Sequence, residues 1–228
     1  MTIASVPEHS RFPGERLPTL YPILDADLVL RDAPPGTSGR RALLDRLTRE
    51  MADAGVTLLQ YRNKLDPDEV FLEDAFNIRQ AASGIRLILN DRAALVPAAG
   101  ADGVHVGQSD MPPAQARALL GSDVHIGVST NTSEEVRAAD REPVDAIAIG
   151  PVFATASKSD TNPVIGLEGV RRARALTHKP LIAIGGITLA NAPSVLEAGA
   201  DSLAVISAVF SGGGSPAQRI REFFAIFK

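Results

Sequence analysis

The chain has 228 residues, of which 45% are hydrophobic, 22% charged and 4% aromatic; that mix suits a globular protein with a sizeable core and excludes a disordered or fibrous chain. The 23 Lys and Arg against 27 Asp and Glu give a net charge of -4, so no basic excess exists to hold a nucleic-acid backbone. Cysteine is absent, which excludes disulfides, thiolate metal sites and cysteine nucleophiles.

Residues 1–19 are polar, contain Pro7, Pro13, Gly14 and Pro18, and read as a loosely ordered extension without the apolar stretch of a signal peptide. From residue 20 to 228 the chain reads as one domain in which short apolar runs alternate with longer amphipathic stretches. The runs are 20–24, 56–59, 87–89, 104–106, 124–128, 146–149, 181–184 and 203–206. Each is rich in Val, Ile and Leu and too short for a helix, as befits strands buried on both faces of a parallel sheet. Helical stretches are expected at 40–54, 68–82, 113–120, 133–139, 167–176, 191–198 and 216–227, with only a turn or two around Pro97. Ala-Gly phrases at 54–55, 99–100 and 198–199 supply the left-handed residue that ends a helix. Eight strand–helix units without a glycine-rich loop after the first strand predict an α/β fold, a single (β/α)8 TIM barrel. No apolar run reaches the roughly 18 residues that span a bilayer. The expectation is a cytoplasmic protein with small-molecule substrates and neither nucleic-acid nor membrane partners, its oligomeric state left open.

Such barrels carry their active sites at the C-terminal ends of the strands. Those ends hold Asp25, Gln60-Tyr61-Arg62-Asn63-Lys64, Asn90-Asp91, Gly107-Gln108-Ser109-Asp110 after His105, Ser129, the run from Gly150 to Lys158, Gly185-Gly186 and Ser207. Alternation sends Gln60, Arg62 and Lys64 to one side. Singly, each group has a plainer role: Arg62 or Lys64 as a solvated loop charge, Asp91 or Asp110 as a helix cap, Gly185-Gly186 as a tight turn, His105 as a packed and hydrogen-bonded residue. Together they describe a site. Two carboxylates at neighbouring strand ends, without a histidine or thiolate cluster, suit magnesium, which is commonly completed by substrate phosphates. Arg62, Lys64 and Lys158 nearby point to a diphosphate, and the turns at Gly185-Gly186 and Ile206-Ser207 offer backbone amides to a second, smaller phosphate.

These motifs, with Val152, Phe153, Thr155, Ser157 and Lys158 after the sixth strand and Val205-Ile206-Ser207-Ala208 after the eighth, resemble the thiamine-phosphate synthase (thiamine-phosphate pyrophosphorylase) family over roughly residues 20–210. The resemblance implies a transferase that joins 4-amino-2-methyl-5-hydroxymethylpyrimidine diphosphate to 4-methyl-5-(2-hydroxyethyl)thiazole phosphate, or its carboxylated form, with release of pyrophosphate. It implies Mg2+ on Asp91 and Asp110. Gln60, Tyr61, Arg62, Asn63, Lys64, Asn90, Ser129 and Lys158 would surround the pyrimidine diphosphate, with Lys158, Arg62 and Ser129 catalytic. Thr155, Ala156, Ser157, Gly186, Ile206 and Ser207 would hold the thiazole phosphate. Ser157 stands where the family usually has threonine, and Ser109 replaces the usual acidic neighbour of the metal aspartate. The alternatives are a thiazole tautomerase on the same barrel, which would not need the two carboxylates or the diphosphate cations, and a non-catalytic sensor of a phosphorylated ligand.

Overall fold

The computed structural model describes residues 16–155, 162–211 and 214–227. Eight parallel strands close into a barrel in sequence order: β1 Leu20–Asp25, β2 Leu58–Arg62, β3 Arg86–Asn90, β4 Gly103–Val106, β5 His125–Thr130, β6 Ala146–Ile149, β7 Leu181–Ile184 and β8 Ser202–Val205. Outside them lie α1 Ala26–Val29, α2 Ser38–Asp53, α3 Asp68–Ala81, α4 Val96–Ala99, α5 Pro113–Leu120, α6 Ser133–Arg141, α7 Gly166–Leu176, α8 Ala192–Glu197, α9 Ser207–Phe210 and α10 Pro216–Ile226. The (β/α)8 barrel anticipated from the alternating pattern is therefore the fold observed. Helices α1 and α9 are four residues long, too short to show a period in the sequence.

Local chemistry sets several helix starts. Thr37 caps α2 by accepting the Arg40 N–H, and Thr132 with Glu135 forms a reciprocal capping box on α6, each cap worth about 1 kcal/mol. Barrel pairing begins before residue 20: Pro18 accepts a hydrogen bond from the Ser202 hydroxyl at 2.7 Å, and Leu17 packs against the barrel interior.

Strand alternation divides the core in two. Tyr21, Ile23, Leu58, Ile88, Ala146, Ala148, Ile182 and Ala204 fill the barrel, whereas Leu59, Tyr61, Leu87, Val104 and Ile147 face the helices. Gly127 pairs with His105 across β4 and β5, and a Cβ on Gly127 would lie 2.4 Å from His105 Nδ1. The glycine is what admits an imidazole to the barrel interior.

A clamp recurs around the N-terminal end of the barrel. Arg79 of α3, Arg117 of α5 and Arg174 of α7 bind Asp102, Asp145 and Asp201 at 2.8, 2.6 and 2.8 Å. Each aspartate also accepts the N–H of the strand beside it, from Leu87, Ile126 and Leu181 at 2.8, 2.7 and 2.8 Å. Each donates its own N–H to the carbonyl of that same residue at 2.8 Å. The motif therefore repeats once per pair of strand–helix units, each time tying one helix to the two strands that follow it. Between β1 and β2 the corresponding place, one residue before β2, is Thr57, which offers no carboxylate.

Candidate active site

The C-terminal strand ends surround a cavity of about 710 Å³. One wall carries charge. Arg62, the last residue of β2, reaches the cavity with Nη1 2.6 Å from Asp25 Oδ2 and 3.6 Å from Asp27 Oδ2. Asp25 is buried and also caps α1 through the Asp27 N–H; burial pushes its carboxyl above the usual range, while Arg62 pulls it back down. Two residues further on, Lys64 forms an ion pair with Asp91.

Asp91 follows β3 directly and is the one described residue other than glycine with a left-handed backbone, φ 63°. That region costs most side chains energy but is within the repertoire of Asp and Asn. The Asp110 carboxyl lies within hydrogen-bonding reach of it. Asp110 is itself oriented by the Gly107 N–H, which it accepts at 2.7 Å. Burial raises the pKa of Asp91; Lys64 lowers it and Asp110 raises it again. Two carboxyl groups this close are stable when they share a proton or a cation.

The facing wall is made of backbone. Gly185 and Gly186 both have positive φ, 103° and 63°. A Cβ on Gly186 would lie 2.6 Å from the Ala154 carbonyl oxygen and 2.7 Å from Phe153 Cβ, so the turn after β7 and the loop after β6 are in close backbone contact. Ile206, Ser207 and Thr155 complete this side.

The cavity thus brings together Arg62, Lys64, Asn90, Asp91, Asp110, Ser129, Thr155, Gly186, Ile206 and Ser207. Gln60 lies deeper, buried in the barrel with Nε2 donating to the Tyr21 hydroxyl at 3.1 Å. Tyr61 and Asn63 face away. The Tyr61 hydroxyl donates to Asp74 between β2 and the helices, and Asn63 donates to Tyr61 and to Asp66. Alternation explains this placement: of the five consecutive residues only the first, third and fifth share the barrel side. Ala156, Ser157 and Lys158 lie outside the described residues.

Two further lining residues carry no role assigned from the sequence. Gln108 reaches across to the Ser129 carbonyl at 2.7 Å, and Asn131 donates to the Gly150 carbonyl at 2.6 Å. Both lie in loops, where no periodicity marks an inward side chain. His105 Nε2 is hydrogen-bonded to the Ser129 hydroxyl at 3.0 Å, a packed position that still borders the cavity.

Among the described residues no group of three or more His, Asp or Glu gathers as a metal cluster. Two oxygen ligands nevertheless fit magnesium, which takes one or two carboxylates and fills its remaining positions with water and phosphate. The proximity of Asp91 and Asp110 is the observation that carries this fit.

Charged strand ends opposite glycine turns, at the C-terminal face of a closed parallel barrel, define a (β/α)8-barrel enzyme with its site on the rim. Residues 33–209 match the family model described as thiamine monophosphate synthase. The chain is 46% identical over 214 residues to the thiamine-phosphate synthase of Koribacter versatilis, covering 93% of this chain and 97% of that protein. It is 47% identical over 174 residues to the thiamine-phosphate synthase of Albidiferax ferrireducens, covering 75% and 79%. The solved thiamine phosphate pyrophosphorylase from Pyrococcus furiosus superposes with a TM-score of 0.77 at 32% identity, covering 91% of this chain and 94% of that one. The tryptophan synthase alpha-subunit of the same organism, at 14% identity and a TM-score of 0.65, shares the fold alone. The chain belongs to the thiamine monophosphate synthase family.

Proposed function

We propose that the chain is a thiamine-phosphate synthase that joins 4-amino-2-methyl-5-hydroxymethylpyrimidine diphosphate to 4-methyl-5-(2-hydroxyethyl)thiazole phosphate, giving thiamine phosphate and pyrophosphate. The observation that carries this reading is a single cavity with Arg62, Lys64, Asp91 and Asp110 on one wall and the Gly186 and Ile206-Ser207 turns on the other. A diphosphate fits the charged wall, and a monophosphate ester fits the turns after the seventh and eighth strands. Neither a thiazole-only isomerase nor a sensor of one phosphate accounts for both walls.

Asp91 and Asp110 would hold Mg2+, which when bound supplies positive charge to the leaving diphosphate oxygens. Arg62 and Lys64 would meet the same oxygens, and the family resemblance gives Lys158 the same role. Arg62 is held on the wall by Asp25, so its charge is in place before the bond breaks, and preorganised charge of this kind stabilises a transition state more than a mobile side chain does. The methylene–oxygen bond breaks, and its electron pair leaves with pyrophosphate. The aminopyrimidine stabilises the resulting carbocation. The thiazole nitrogen, held alongside, then donates its lone pair to form the carbon–nitrogen bond. Ser129, hydrogen-bonded to His105, and Asn90 would hold the pyrimidine diphosphate, and Thr155, Gly186, Ile206 and Ser207 would hold the thiazole phosphate; all of them line the cavity. Ala156, Ser157 and Lys158, which lie outside the described residues, belong to the site in this reading by the family resemblance. No general base is required, because no proton leaves in the bond-forming step.

No helix among the described residues is long and apolar enough to cross a membrane. In this reading the enzyme works in the cytoplasm, with small-molecule substrates as its partners. The test is incubation of the purified protein with both substrates, with and without magnesium. Equimolar thiamine phosphate and pyrophosphate, dependent on the metal, is the expected result. Neither product forming, or magnesium making no difference, would overturn the corresponding part of the reading.

A further inference from the structure

Arg92 follows Asp91 but does not line the cavity. It turns outward to the start of α3, where one guanidinium makes four contacts. Nη2 donates to the carbonyl oxygens of Asn63 at 3.1 Å and Asp66 at 2.6 Å. Nη1 donates to Asp68 Oδ1 at 2.8 Å, and the guanidinium carbon lies 4.5 Å from the centre of the Phe71 ring. Arg92 therefore joins the turn after β3, which carries Asp91, to the loop after β2, which carries Lys64. The loop is fixed from behind as well. Asn63 Oδ1 accepts the Asp66 N–H at 3.0 Å, and Arg40 holds the Asp66 carboxylate at 2.6 Å.

Lys64 is half exposed, and its long stem does not confine its ammonium. What places it against Asp91 is the path of the loop, which Arg92 ties to the turn that carries Asp91. We infer that Arg92 is a positioning residue for the magnesium–diphosphate wall: it fixes the separation of Lys64 from Asp91 and never meets the substrate itself. This rests on the proposed function for the identity of the ligand. A planar fork is needed to bridge two carbonyls and a carboxylate while stacking on a ring; a lysine can supply the charge but only one of those contacts at a time.

The test uses the full chain, titrated calorimetrically with pyrophosphate at fixed magnesium and, separately, with thiazole phosphate. Arg92→Met should weaken magnesium-dependent pyrophosphate binding about tenfold and leave thiazole phosphate within about twofold. Arg92→Lys should fall between Arg92→Met and the unaltered protein. Asp68→Asn removes only a solvated ion pair and should change pyrophosphate binding by less than about twofold. Unchanged pyrophosphate binding in Arg92→Met, or equal loss of both ligands, would overturn the positioning role, the second because a general loss of structure does not choose between walls. If the unaltered protein binds neither ligand, the proposed function fails and this inference fails with it.

Discussion

The Asp25 carboxylate, buried at the end of β1, holds the Arg62 guanidinium at the end of β2 at 2.6 Å, and the two residues face each other in the strand register. This pair fixes a cation on the cavity wall at the expense of part of its field. Asp25→Asn keeps an oxygen to cap α1 but releases the charge pair. Two effects then oppose each other in binding: one fewer negative charge favours a diphosphate, and a looser Arg62 disfavours it. Only the loosening acts on turnover. The expected outcome is a kcat about tenfold lower, with a KM for the pyrimidine diphosphate changed less than about threefold, measured by steady-state kinetics.

Asp91→Asn is a clean removal of charge, because asparagine also tolerates the left-handed backbone at φ 63°. Turnover should fall by about a hundredfold at limiting magnesium, with the melting temperature nearly unchanged. Asp91→Ala should lose the same activity and, unlike the asparagine variant, also lose about 1 kcal/mol of stability to backbone strain. Equal melting temperatures for the two variants would remove the strain from the account.

Gly186 is constrained by backbone on the opposite side. Even alanine at this position would bring its Cβ within 2.6 Å of the Ala154 carbonyl oxygen, at a φ that disfavours side chains. Gly186→Ala should therefore displace the loop after β6 as well as crowd the phosphate turn. The KM for thiazole phosphate should rise about tenfold and that for the pyrimidine diphosphate much less. Equal rises would assign the turn to the scaffold alone.

His125, at the start of β5, is buried in the barrel, and burial pushes its pKa down from 6.5 to about 4, with Arg86 and Arg117 adding to the fall and Asp145 opposing it. The unfolded chain thus binds a proton that the folded chain refuses between pH 6.5 and 4. Stability from this group is complete above pH 6.5, declines as pH falls toward 4, and changes no further below that. The difference is on the order of 3 kcal/mol. Chemical denaturation of the protein and of His125→Gln across this range should give a shallower acid dependence for the variant; parallel curves would show that other groups govern it.

The strands and the barrel were legible in the sequence because short apolar runs, buried on both faces, recur in eight similar units whose side chains alternate with a period of two. Inward positions on β2 followed from the same period: Gln60 and Arg62 share the barrel side, and Tyr61 is turned toward Asp74. Tyr61 and Asn63, which the resemblance groups with the substrate ligands, lie on the other side of that alternation. The sequence also displayed the Ala-Gly-Ala-Asp phrases, but only their glycines were read, as helix ends. Asp102 and Asp201 acquire their role from arginines 23 and 27 residues away, a distance no local pattern spans. Asp25 was visible as a strand end, yet its partnership with Arg62 depends on barrel register, 37 residues apart in the chain. The left-handed backbone of Asp91 had no local signature such as glycine would give.

The arginine–aspartate clamps secure three quarters of the barrel, and Thr57 leaves the β1–β2 quarter without the carboxylate that defines them. The barrel therefore has a seam. At the N-terminal end of the barrel, backbone amides of β1 and β2 should exchange with solvent hydrogen before those of β3 through β8, because local opening there follows the pairing that lacks a clamp. The same two strands carry Asp25 and Arg62 at their far ends. Slow breathing of the seam would reach the charged wall before the phosphate turns, so catalysis and the first step of unfolding draw on the same quarter of the molecule.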